Sequence, residues 1–136
     1  ARAAAEPTAL LAATEAVATG RDWEAISARV GVFHAAVERH FDFEERVLFP
    51  RLEACAPMAA GPTGVMRMEH RQMRQLMDEL ADAVGARDKD GCIGILETLH
   101  MMTQQHNAKE EAILYPMADD VLHEQAGSVA AELAEV

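Results

Sequence analysis

The feature that most restricts this chain is a pattern written twice. His34-x5-His40-x3-Glu44-Glu45-x2-Leu48-Phe49-Pro50 returns as His100-x5-His106-x3-Glu110-Glu111-x2-Leu114-Tyr115-Pro116, with every position displaced by 66 residues. On an α-helix, residues four apart lie on one face, so His40 with Glu44, and His106 with Glu110, each present an imidazole beside a carboxylate. The rest of each face is apolar. One reads Ile26, Val30, Phe33, Val37, His40, Glu44, Val47; the other reads Cys92, Leu96, Leu99, Thr103, His106, Glu110, Ile113, Met117. The alternating steps of four and three mark an inward heptad seam. A carboxylate there loses its hydration, which is tolerated only if it is paired, neutralised or bound to a metal. With a histidine one turn away, a cation is the simplest remedy.

The remaining sequence supplies the helices such a site needs. Ala, Leu, Met and Glu dominate and only 4% of residues are aromatic, a helical composition. A chain of 136 residues fits a single domain, 1–136, able to bury a core of its own. Periodicity and stop signals predict helices over residues 3 or 7 to 19, 22–53, 63–86 and 91–122, with a short helical turn in 124–136. Gly20-Arg21-Asp22 and Ala86-Arg87-Asp88 form tight turns, again 66 residues apart, and 55–64 with Pro57, Gly61 and Pro62 is the longest irregular connection. Short connections make neighbours antiparallel. The expected fold is all-α, an up-down-up-down four-helix bundle made of two hairpins about a pseudo-twofold axis.

Depth along the bundle follows from counting. The third helix has the seam Met66, His70, Met73, Met77, Leu80, Val84. Measured from the turns, at about 1.5 Å per residue, His70, His106 and His40 lie within a turn of one level. His40, Glu44, His70, His106 and Glu110 are therefore the candidate metal ligands. The offset asks for a fourth histidine at position 4, where the chain has Ala4. Glu6 is an additional candidate if the first helix begins ahead of Pro7, whereas Glu15 would lie roughly 15 Å away.

Around these, Glu45 and Glu111 point off the seam, toward Arg or Lys partners or the far nitrogen of a ligand histidine. His34 and His100 flank the site, Tyr115 is expected to pack or else to approach the site, and the methionines fill core. The first helix is expected to bury Leu10, Leu11, Thr14, Val17 and Ala18. Val37, Thr103, Met73, Met77 and Leu11 would form a dry pocket.

The formal charge of −11 argues against nucleic acid or an anionic membrane as partner. No apolar run approaches the ~20 residues of a membrane span. The opening residues lack a signal-peptide core, and Cys55 and Cys92, at opposite ends of the bundle, cannot bridge. A cytoplasmic protein is the expectation.

Together, His40-x3-Glu44-Glu45 with Leu48-Phe49-Pro50, Glu69-His70, and His106-x3-Glu110-Glu111 with Leu114-Tyr115-Pro116 resemble the hemerythrin-like (HHE cation-binding) family over about residues 10–120. The resemblance implies a non-haem di-iron centre with Glu44 and Glu110 as bridging carboxylates and His40, His70 and His106 as terminal ligands. Two positions depart from the pattern. Ala4 stands near where the first-helix histidine belongs, and Arg74 stands where the circulatory oxygen carriers have a second histidine four residues after His70. The ferritin-like class fits less well, because it uses Glu-x-x-His and more carboxylates.

The leading expectation is a binding or sensing protein, not an enzyme, taking dioxygen, peroxide or nitric oxide at iron. The alternative is a degenerate site with one iron or zinc, or no metal, in a structural or protein-interaction module. Peroxide breakdown or delivery of iron for cluster repair is the enzymatic reading.

Overall fold

A computed structural model describes residues 2–121, with side chains placed over 6–119. The turn expected in 124–136 lies outside them. The elements are α1 (Arg2–Thr19), α2 (Trp23–Phe43), a π-helical turn (Glu44–Leu48), α3 (Phe49–Cys55), a 3-10 turn (Pro57–Ala59), α4 (Ala60–Gly85), α5 (Lys89–Lys109), a second π-helical turn (Glu110–Leu114) and α6 (Tyr115–Val121). α2 runs through its π turn into α3, and α5 through its own into α6, so there are four rods. No strand occurs among the described residues. α1 packs against α2 and α5, and α4 packs against the same two. The rods close into an antiparallel four-helix bundle.

The turns carry matching caps. Asp22 accepts from the backbone N–H groups of Glu24 and Ala25, and Asp88 accepts from that of Gly91. Each satisfies donors that a helix start leaves free. Arg87 takes a left-handed φ of 55°, allowing Asp88 N–H to reach the Ala83 carbonyl and close the end of α4.

The connection after α3 is shorter than the expected 55–64. α4 already begins at Ala60 and takes in Gly61, Pro62 and Gly64. Proline is no obstacle in a first turn, where its missing N–H would have no helical partner. Thr63 secures this end, donating to Glu53 Oε2 at 2.6 Å and to the Ala59 carbonyl at 3.0 Å.

Three expected faces are corrected. Ile26, Val30, Phe33, Val37, His40 and Glu44 are buried, but beyond Glu44 it is Leu48, not Val47, that faces inward. In the second copy Leu114 and Ala118 are buried, while Ile113 is 50% exposed and Met117 only half-buried. The cause is the π turn in each rod. Phe49 N–H bonds the Glu44 carbonyl and Tyr115 N–H bonds that of Glu110, five residues back, which advances the inward face by one residue. Pro50 and Pro116 follow at once and cannot donate a regular i→i−4 bond. In α1, Ala9, Leu10, Ala13 and Val17 form the buried stripe, whereas Leu11 is 59% exposed and Ala18 is exposed. An alanine-rich helix has too little contrast in side-chain size to fix its rotation in advance.

Among the described residues the core is split into two apolar clusters. One is built around Val17, Ile26, Phe33, Met77, Leu80 and Leu96; the other around Leu48, Phe49, Leu52, Met66 and Leu114. A polar layer lies between them.

Candidate metal centre

That layer consists of His40, Glu44, His70, His106 and Glu110, each at most 2% exposed, with Glu6 beside them. One atom each from Glu44, His70, His106 and Glu110 come within 4.8 Å of one another. His70 Nε2 and His106 Nε2 are 3.2 Å apart. Glu44 Oε1 lies 3.1 Å from His70 Nε2, and Glu110 Oε1 lies 2.7 Å from His106 Nε2. The second oxygens turn the other way: Glu44 Oε2 is 2.9 Å and Glu110 Oε2 is 3.6 Å from His40 Nε2. Each carboxylate thus divides itself between a pair of histidines and a single one.

The outward nitrogens are held by a second set of acids. His70 Nδ1 donates to Glu45 Oε2 at 2.6 Å, His106 Nδ1 to Glu69 Oε1 at 2.9 Å, and His40 Nδ1 to Glu6 Oε2 at 3.0 Å. An ionised carboxylate can only accept, so each imidazole carries a proton on Nδ1 toward its acid and turns Nε2 inward. This arrangement orients histidines for a metal. Glu6 is therefore placed behind His40, not among the converging atoms. α1 begins ahead of Pro7, as that reach requires.

The interior contacts are short but badly aimed for hydrogen bonding. Both oxygens of Glu44, and Oε1 of Glu110, are buried and make no well-directed hydrogen bond. Buried carboxylate oxygens without an aligned donor are costly. Donors bound cis to one first-row ion at about 2.1 Å stand about 3.0–3.4 Å apart, which is the spacing of His70 Nε2 from His106 Nε2, 3.2 Å, and from Glu44 Oε1, 3.1 Å, while His106 Nε2 and Glu44 Oε1 stand wider, at 4.0 Å. The residues present fit a cation.

Electrostatics point the same way. Burial alone would lower the His40 pKa, but Glu110, Glu44 and Glu6 outweigh it and push it up to about 11. His106 is likewise opposed by burial and raised to about 10 by Glu110, Glu44 and Glu69. Burial works against ionised Glu44, yet His106, His40 and His70 hold it well below the usual carboxylate range. In the absence of metal, protons fill the charge deficit a cation would otherwise fill.

Tyr115, expected first to pack and otherwise to approach the site, donates its hydroxyl to Glu110 Oε2 at 2.7 Å. Glu45 is gripped by Arg74, while Glu111 is exposed. The asymmetry has a cause. The 66-residue offset pairs Glu45–His70 with Glu111 and position 4, and Ala4 leaves Glu111 no imidazole there. His34 is half-buried near Glu38, at 3.7 Å, and His100 is exposed. His100 lines a groove of about 670 Å³ between α1 and α5 together with Pro7, Leu10, Leu11, Met101 and Asn107. Leu11 belongs to this open groove, not to a dry pocket; Val37, Met73 and Met77 are buried as expected and Thr103 is half-buried. Both cysteines are free, Cys55 exposed and Cys92 buried.

A family profile described as the Hemerythrin HHE cation binding domain matches residues 4–135. The chain belongs to that family. No curated protein and no solved structure matches the chain significantly. As an HHE domain, the protein is a four-helix bundle with a buried His/Glu cluster suited to a metal cation. No helix among the described residues is long and apolar enough to cross a membrane.

Proposed function

We propose that this HHE domain holds two non-haem iron ions and binds or senses a small ligand such as dioxygen, peroxide or nitric oxide. The observation that carries the reading is the division of Glu44 and Glu110, whose Oε1 atoms face His70 and His106 and whose Oε2 atoms face His40. In this reading Glu44 and Glu110 would be shared between the ions, with His70 and His106 holding one and His40 the other. Mixed imidazole and carboxylate donors suit iron. Iron so held supplies redox chemistry and an exchangeable coordination position.

The chain's own residues do the rest. Glu45, Glu69 and Glu6 keep the imidazoles oriented. Tyr115 steadies Glu110. Val37, Met73 and Met77 exclude water from one side. The α1/α5 groove, lined by Pro7 and Asn107, the sequence neighbours of Glu6 and His106, would be the approach for a small ligand.

A second reading draws on Ala4 and on the compactness of the four-residue group Glu44, His70, His106, Glu110. It has one ion there, iron or zinc, in a structural or protein-interaction module. Metal analysis and absorption spectra of the purified protein decide between them. About two irons per chain, with an absorption band that changes on adding azide, is the expected result. One iron or one zinc per chain, or no metal, with no response to azide overturns the first reading.

A further inference from the structure

His70 is the most enclosed of the three histidines, and two separate contacts run from it to one residue. Its Nδ1 donates to Glu45, and Arg74 grips that same carboxylate, with Nη1 2.8 Å from Oε2 and 3.1 Å from Oε1. On its flat side, His70 stacks on Phe41 at a centroid distance of 3.8 Å and an interplanar angle of 10°. Arg74 lies over the other part of this contact, with its guanidinium carbon 5.3 Å from the Phe41 centroid. Phe49 also stacks against the ring, at 5.7 Å and 24°, but Arg74 touches the two closest groups, the carboxylate that sets its rotation and the ring that sets its plane. Its Nε also donates to both oxygens of Glu38 at 3.2 Å, which anchors the guanidinium from outside.

We propose that Arg74 is a positioning residue for the metal centre, acting through Glu45 and Phe41 to fix the His70 ring and the charge behind it. The proposal rests on the metal reading above. In the sequence Arg74 is only a missing histidine; in the fold it replaces a ligand with a clamp.

The chemistry requires arginine here. A planar, permanently charged fork can hold a carboxylate through one nitrogen, a second carboxylate through another, and still lie on an aromatic ring. Lysine can supply the charge but neither the fork nor the stack. The charge also matters in itself. With Arg74 present, the Glu45 carboxylate behind His70 is balanced by a cation; without it, a net negative group stands against the imidazole. That favours the more highly charged, oxidised state of any redox metal bound at Nε2.

The test uses the full chain and the substitutions Arg74→Gln, Arg74→Lys and Glu45→Gln. Affinity is measured with Zn(II) as probe by competition against a chelating dye, and the reduction potential on the iron-loaded protein. Arg74→Gln is expected to weaken Zn(II) binding about tenfold, the lower end for outer partners of metal ligands, and to lower the potential. Glu45→Gln can still accept from Nδ1 but loses the negative charge, so its potential moves up. Arg74→Lys recovers part of the potential shift and little of the affinity. Unchanged affinity and potential in Arg74→Gln overturn the proposal, as do shifts of the same sign in Arg74→Gln and Glu45→Gln. If Arg74→Gln does not fold, the opposed potentials of Arg74→Lys and Glu45→Gln decide in the same way. A wild-type chain that takes up no metal overturns the metal reading and this proposal with it, whereas a loaded wild type with an indifferent Arg74 overturns this proposal alone.

Discussion

His40 and His106 are basic because of what surrounds them, and this sets how the protein responds to pH. Buried imidazoles ordinarily lose their protons, but the carboxylates of Glu44 and Glu110 face both rings and hold them charged, up to about pH 11 and 10. In the unfolded chain both titrate near about 6.5. Their folded values are raised, so their contribution to stability is complete below about pH 6.5 and is lost as pH rises toward the folded values. The metal-free protein is therefore expected to melt at steadily lower temperature between about pH 6.5 and 10. A cation competes with the same protons, so the rise in melting temperature on adding Zn(II) should grow over that range. Melting curves at several pH values check both statements. A flat or rising metal-free profile would show that these imidazoles are not held charged.

At the scale of elements, the repeated pattern creates two helices that break their own periodicity at the same place. Each π turn starts at the inward carboxylate, Glu44 or Glu110, and ends just before a residue preceding proline. The seam from the turn down to each carboxylate could be read from spacing. The face beyond it could not, because a strict four-three count places Val47 and Ile113 inside, whereas the fold buries Leu48 and Leu114. Periodicity assumes one helix type, and the proline signal marked only an approaching end. Away from the site the helices are ordinary, which gives a clean control. Gly31 in α2 and Gly94 in α5 are exposed, and an added Cβ would meet nothing within 4 Å at either position. Gly31→Ala and Gly94→Ala should each raise stability by about 0.5–1 kcal/mol. Denaturant titration measures the gain, and metal content should stay at its wild-type value. A loss at either position would mean that its surroundings are less open than this packing indicates.

For the molecule as a whole, the polar layer lies between two apolar clusters and not at an edge of the core. The bundle can therefore fold on the packing above and below while the middle layer carries imidazoles and carboxylates that need compensation. Stripping the metal with a chelator should retain the helical circular dichroism but lower the melting temperature. At a metal concentration a thousandfold above Kd the linkage amounts to about 4 kcal/mol. A melting temperature indifferent to chelation would mean that no cation stabilises the core. The sequence by itself determined the helical class, the four-rod order, the pseudo-twofold repeat and the five residues of the inner layer. All of these follow from spacing within single helices and from counting between turns. Only the tertiary structure decided what stands behind the histidines. That Glu6 backs His40, Glu69 backs His106, and Arg74 and Phe41 close around His70 are contacts between different rods, separated by 25 to 37 residues for Glu45–His70 and Glu69–His106. Such contacts depend on how each helix is rotated about its axis, and that rotation is fixed by packing among all four rods.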